Sequence, residues 1–533
     1  MKPSRSTEEH QDEGAFRRPW LGVGIFLLAC GIVLERLANQ HTLTGASATA
    51  ACVAACSAGL LGIFQLFRRI RFPDEQSFVI LGTALQFLLA PALSQLFFDA
   101  PWWTRLSFTE ERAQVRDGYP HAMAVVLIFL AAYTLATSFW AQDARWLWQG
   151  SRKLEPDPAQ SGHRSGTGVL LLLVALIWAG RFWLIYKGAY FHANTTQYVF
   201  ESPVYSMIAT FNRIVGIVAL LAAFELSQPR RTVVAWWPWA YFAAELAYYA
   251  VSGGREYAIT ALLSVTAYFI IRGRATLKVL LPAGVVAIAM MSLIGIYRER
   301  MLSNVSATYV RAEDIKLSLT EAAQVSRQYK PGALLSFGLE RLNDLDSVAA
   351  VCLWVPLPVD YLRGETYQGI LGALVPRFIW LNKPAIVVPI NHWFFREEYG
   401  SSPLTVFGEG YLNFGLPGVV GVGVVCSALV TVTGALLRRR LASSFFWPVY
   451  VSFLLYLLRA PVSVLGIWIS GLSRIVIFLY AVDFLCARPL ETILQVRRAK
   501  KAKGERTESA VAPANPGASH LAAEVEAKGD ANP

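Results

Sequence analysis

The chain keeps returning to one pattern: a run of roughly 20 predominantly apolar residues, the length a helix needs to cross a bilayer, and then a polar interruption. The first run opens at Trp20 and ends at Glu35 and Arg36. Others follow at 45–67, 78–98, 121–140, 167–186, 205–225, 233–251, 257–271, 278–296, 413–437, 445–458 and 461–485. Hydrocarbon offers the backbone no water to bond, so each run is expected to be a helix, about twelve spans in all. With 55% hydrophobic and only 16% charged residues, this chain of 533 lacks the polar surface of a soluble globule. The expected fold is an all-α polytopic membrane bundle. The first run is short enough for a signal-peptide core, but no small-residue cleavage site follows it closely, and it is read as an anchor.

Charge placement sets the orientation. With the N-terminus in the cytoplasm, the inward loops hold Arg68, Arg69 and Arg71; Arg145, Arg152, Lys153 and Arg164; Arg230 and Arg231; Arg272 and Arg274; and Arg438, Arg439 and Arg440. Short outward connections are poorer, with Arg36, Lys187, Arg255 and Arg459 largely alone. Lys and Arg accumulate on cytoplasmic loops, so both termini are expected inside. The same rule accounts for the net charge of +11 without nucleic acid. Residues 1–19 then form a cytoplasmic segment, 20–296 a bundle of about nine spans, 297–412 one large extracytoplasmic loop, 413–485 the C-terminal spans, and 486–533 a basic tail of disordered composition. Cys30, Cys52, Cys56 and Cys426 lie in apolar runs with no ligand spacing, so neither a disulfide framework nor a metal is expected.

The loop is too long for a mere connection. Apolar residues recur at helical spacing over 313–329 and 334–355, which predicts helices lying on the membrane or capping a cavity, while Pro356, Pro358, Pro376, Pro384 and Pro389 interrupt them. Asp344 and Asp346 match a D-x-D metal pattern, but residues two apart on a helix do not share a face. From 375 to 418 the chain mixes arginines, carboxylates, a histidine and aromatics, and then runs directly into an apolar helix. There His392 lies near Arg396, Glu397 and Glu409, and a histidine takes protons near neutral pH.

Charges also fall where lipid disfavours them: Arg181, Arg213, Glu245, Arg474 and Asp483. A cation at a helix centre costs about 2.5 to 3.5 kcal/mol on insertion scales, so Arg213 and Arg474 imply a polar cavity, with Glu245 or an anionic substrate as partner. For Arg181 and Asp483, snorkelling at a span end or a structural ion pair stays open. At the outward turn 252–256, Ser-Gly-Gly-Arg-Glu places Arg255 at the start of a helix, where backbone N–H groups favour an anion such as phosphate; a plain hairpin with a surface Arg–Glu pair is the alternative. Arg459 occupies a second short outward turn.

VPRFIWLNKP at 375–384, GEGYLNFG at 408–415, GETY at 364–367 and the turn SGGR at 252–255 resemble motifs of the Wzy-type oligosaccharide repeat unit polymerases, which are related to O-antigen ligases. Asn382 stands where that family has an acid, and Gly410 where a larger residue is usual. The resemblance implies a GT-C-like glycosyltransferase of the bacterial cytoplasmic membrane that joins repeat units carried on undecaprenyl pyrophosphate, for O-antigen, capsule or exopolysaccharide. A chain-length regulator and a flippase are the implied partners, with no cofactor. On this reading Arg255 and Arg459, helped by Arg213, Arg474 and Arg181, would surround the donor pyrophosphate. Arg377 and Lys383 would orient the cap or a second lipid-linked substrate, and His392 or Glu409 would take the acceptor proton. An O-antigen ligase with the same donor, or a lipid-linked glycan flippase, are the competing readings; the chain shows no internal repeat of the kind many transporters carry.

Overall fold

A computed structural model describes residues 5–40, 46–69, 75–92, 118–149, 163–187, 203–227, 236–271, 276–304, 312–329, 345–357, 359–375, 380, 404–438 and 446–482. Among these residues there is no strand. The helices are α1 (Arg5–Asn39), α2 (Ala46–Arg69), α3 (Glu75–Ala84, extended by a π-helical turn at Leu85–Leu89), α4 (Tyr119–Gln149), α5 (His163–Tyr186), α6 (Pro203–Leu226), α7 (Trp237–Val251) and α8 (Arg255–Ile271). They continue with α9 (Leu280–Asn304), α10 (Ala312–Gln328), α11 (Leu345–Trp354), α12 (Gly369–Leu374), α13 (Val406–Arg438), α14 (Phe446–Arg459) and α15 (Leu465–Val482). The chain divides into two compact units, 1–480 and 481–533, and the helices belong to the first, whose boundary falls in the last turn of α15.

Every apolar run of the sequence overlaps one of these helices. Among the described residues, three stretches are long and apolar enough to cross a membrane: Pro19–Asn39, Tyr119–Trp140 and Val406–Arg438. Eight shorter apolar stretches accompany them. The expected helix over 313–329 is α10, whose Ala322, Ile315 and Val325 pack on Leu184 of α5 and on Ile296, Tyr297 and Met301 of α9. Of the expected helix over 334–355, the described part is α11; residues 334–344 lie outside the described residues.

Two groups of helices are joined by a third element. α4 is the centre of the first: residues 122–131 and 133 are buried, because α1, α2, α11 and α13 surround it. The second group is α5 to α10, packed as successive neighbours. α14 touches α3 in the first group and α6 and α8 in the second, so the penultimate run ties the halves together. Where α3, α4 and α13 meet, burial forces polar groups to satisfy one another. The Gln76 amide donates to Thr431 Oγ1 (2.8 Å) and accepts from the Tyr133 hydroxyl, Thr137 meets Ser427 at 2.9 Å, and Arg438 pairs with Glu75.

The boundary expected at residue 412 moves. α13 begins at Val406, because Thr405 caps it: Thr405 Oγ1 accepts the Gly408 N–H (2.9 Å) and the Thr405 carbonyl accepts that of Glu409 (3.0 Å). Seven more residues then join the helix, and Glu409 lies in a buried first turn rather than on the loop. The helix is broken at Gly415 (φ 64°, ψ −148°), one residue before Leu416-Pro417, since Pro417 has no N–H to continue the ladder and Gly415 reaches a conformation closed to other residues. The break folds the first turns back until the Gly410 and Gly418 backbones touch. A Cβ on Gly410 would meet the Gly418 carbonyl at 2.8 Å, which explains why glycine stands at 410, and a Cβ on Gly418 would overlap the Gly410 carbonyl. Gly418→Ala is therefore expected to destabilise the protein by about 1–3 kcal/mol, the usual cost of overpacking, as a lowered midpoint in thermal unfolding of the detergent-solubilised protein.

Candidate functional site

Three clusters of polar residues stand near helix ends. The first surrounds Arg181 of α5, which is fully buried and paired in fork geometry with Glu245 of α7, Nη1 to Oε1 and Nη2 to Oε2, both at 2.7 Å. Nη2 also donates to the Tyr249 hydroxyl at 3.3 Å, and the guanidinium lies 4.5 Å from the Tyr248 ring centre and 5.0 Å from that of Trp178. The two charges and the aromatic faces compensate for lost water. This resolves the alternatives for Arg181 in favour of an ion pair. Among the described side chains, the partner of Glu245 is Arg181. Arg181 Nε and both amide atoms of buried Asn212, one residue before Arg213, find no hydrogen-bond partner among the described residues.

The turn after α7 is linked to this pair through Tyr249. Gly254 N bonds to the Tyr249 carbonyl (2.9 Å) and Gly253 N to that of Ala250 (3.1 Å), the paired closure of a Schellman motif, with Gly253 at φ 70° as the motif requires. The Gly254 carbonyl then starts α8 by accepting from Tyr257 and Ala258. Arg255 is the first residue of α8, as the sequence predicted. Tyr249 connects the two features, since its ring packs on Tyr257 at 5.5 Å and its hydroxyl meets Arg181. The side chains of Arg255 and Arg213 lie outside the described atoms, and Arg377, Lys383, His392 and Asp483 outside the described residues.

The second cluster unites two sequence motifs some fifty positions apart. Gly364 N donates to Asn413 Oδ1 (2.8 Å), and Asn413 Nδ2 donates to Thr366 Oγ1 (2.7 Å). The Thr366 hydroxyl bonds to the Glu409 carboxylate, whose Oε2 also accepts the N–H of Leu465 at 2.6 Å. A single circuit thus ties the loop motif at 364, the helix motif at 408 and the first residue of the last helix. Tyr367 stacks on Phe414 at 6.3 Å and Tyr361 packs edge-on to Tyr411 at 6.4 Å. Burial first, and then the Glu409 charge, push the Tyr367 hydroxyl above its ordinary range. It stays protonated, and has no hydrogen-bond partner among the described residues.

Glu409 answers a backbone N–H left without a partner inside its own helix at a helix start, a favourable place for a carboxylate. Glu409→Ala is expected to cost about 1–3 kcal/mol by orphaning the buried Leu465 N–H, and Glu409→Gln to recover most of that loss, read by thermal unfolding in detergent. A general base would behave differently, losing activity in the Gln variant at unchanged stability.

The last helix pair brings two expected arginines near one tyrosine. Arg459 ends α14 and Arg474 lies on α15; both are exposed, and both act electrostatically on Tyr456. The Tyr456 hydroxyl bonds to the carbonyls of Ile467 (3.0 Å) and Trp468 (3.2 Å), fixing α14 against α15. Arg474 is therefore not enclosed in a polar interior, contrary to its expected setting. Comparison with protein-family models, curated proteins and solved structures finds no match.

A third cluster has no counterpart in the sequence reading. His121, in the first turn of α4, meets Glu35 near the end of α1, with Nδ1 3.2 Å from Oε2. Glu35 Oε1 accepts from Asn39 Nδ2 at 3.2 Å. The Glu35 charge reaches Cys352 of α11, Tyr361 and Tyr411. Nearby, the Tyr119 hydroxyl bonds to Asp346, so the second acid of the D-x-D pattern is engaged in holding α11 to α4. The only sequence signal for this cluster was that both ionisable residues stand at the edges of apolar runs.

Proposed function

We propose that this protein polymerises undecaprenyl-pyrophosphate-linked oligosaccharide repeat units on the outer face of a bacterial cytoplasmic membrane, which its chain crosses about twelve times. The observation that carries the reading is the circuit from Gly364 through Asn413, Thr366 and Glu409 to Leu465. It gathers the GETY and GEGYLNFG motifs at the start of an apolar helix, beside the turn that bears Arg459. Under the proposed topology that turn, the start of α13, the start of α8 and the contact of α1 with α4 all face outward.

The chemistry needs little from the protein at the donor. A pyrophosphate is already a good leaving group, and what lowers the barrier is positive charge placed where the phosphate oxygens depart. Arg255 at the start of α8, with the backbone N–H groups there, and Arg459 with Arg474 would supply it. Arg377, Lys383 and the orphan Tyr367 hydroxyl would engage the second lipid-linked substrate. Glu409, already bonded to Leu465 and Thr366, would position the cap; His392 would stand among the proton acceptors.

The test is extension of a purified undecaprenyl-pyrophosphate repeat unit by the detergent-solubilised protein with chelator present. A ladder of added repeats is the expected result. Binding without extension would instead favour the ligase or flippase readings, which transfer to a lipid A core acceptor on addition of that acceptor, or translocate the unit in vesicles.

A further inference from the structure

We propose that His121 is the group that takes the proton from the acceptor sugar hydroxyl, with Glu35 and Asn39 as its positioning residues. The proposal rests on the polymerase reading and adds to it a residue far from the resembling motifs.

The arrangement is a base held by a carboxylate that is itself held. Asn39 fixes one oxygen of Glu35 and His121 Nδ1 meets the other, which sets the tautomer and leaves Nε2 directed away from the pair. The His121 side chain keeps 22% of its exposure against 13% for Glu35, so the imidazole is reachable while its orienting partner is largely enclosed. The Glu35 charge acts on Cys352 of α11, Tyr361 and Tyr411; Arg36 follows Glu35 on α1, and Tyr119, two residues before His121, bonds to Asp346. Burial, and then Cys352 and Glu35, push the Tyr361 hydroxyl up, so it stays protonated at neutral pH. A sugar offers several hydroxyls, and a reachable imidazole oriented by a carboxylate is suited to take the proton of one of them.

In the step itself, His121 Nε2 takes the proton as the acceptor oxygen bonds to the anomeric carbon of the donor. The bond from that carbon to the pyrophosphate oxygen breaks, and its electron pair leaves with undecaprenyl pyrophosphate. Glu35 stabilises the imidazolium until the proton passes to solvent.

The experiment uses the full-length protein in detergent and the purified undecaprenyl-pyrophosphate repeat unit. His121→Gln is expected to slow extension about 10²–10⁴-fold, the usual contribution of a general base, with binding of the lipid-linked unit by native mass spectrometry unchanged. Glu35→Gln keeps an acceptor for His121 Nδ1 but not the charge that stabilises the imidazolium, and should lower kcat with KM unchanged. A bond that merely holds α1 to α4 would lower the unfolding midpoint and leave kcat of the folded enzyme in place. A wild-type ladder with full extension by His121→Gln, or an unchanged kcat in Glu35→Gln, overturns the proposal and leaves the polymerase reading standing. No ladder from the wild type overturns both.

Discussion

Glu245→Ala is expected to destabilise the protein by about 3–5 kcal/mol, because it strands the Arg181 charge in a site where that side chain has no exposed surface. The loss should appear as reduced yield of folded protein in the membrane and a lower unfolding midpoint in detergent. Arg181→Ala should cost less than Glu245→Ala only if water reaches the abandoned carboxylate, and Glu245 is 1% exposed. The double variant Arg181→Met with Glu245→Leu separates charge from packing. Removing both ions spares the desolvation penalty of either alone, so it should recover most of the loss. Unfolding of Glu245→Ala at the wild-type midpoint would mean that the pair is solvated.

Arg255→Ala is expected to reduce chain extension about 10²–10³-fold, the cost of removing one preorganised group from developing negative charge, while the protein inserts and unfolds as the wild type does. The structural half of this rests on the turn: Gly253 and Gly254 close α7 through backbone bonds alone, so α8 starts correctly without the Arg255 side chain. Arg255→Lys keeps the charge but loses the planar fork, and should fall between the two. Polymer of normal length from Arg255→Ala would remove Arg255 from the reaction.

Much of the helical frame was legible in order along the chain. Apolar length gave the helices of the twelve runs, two glycines and a following arginine gave the α7–α8 turn, and helical spacing gave α10 and α11, while α12 carried no signal. The start of α13 was not legible, because Gly408, Gly410, Gly415 and Pro417 weaken helical propensity while a Thr405 cap and a backbone contact supply what propensity lacks. Gly410 was visible only as a departure from a motif. Its reason is the close approach of Gly418, created by the break at Gly415.

The sequence by itself determined that the chain would be helical and apolar, where its turns would fall, and which charged residues stood out against lipid-like surroundings. Only the tertiary structure decided which of them meet: Arg181 with Glu245, Glu35 with His121, Glu409 with the Leu465 N–H. The reason is physical. A helix in a membrane bundle is apolar on the face that meets lipid and on the face that meets another helix, so its pattern carries little information about its neighbours. Partner choice is set by helix rotation and packing, and a carboxylate 64 or 86 positions away in sequence is as near as the next turn once two helices lie side by side.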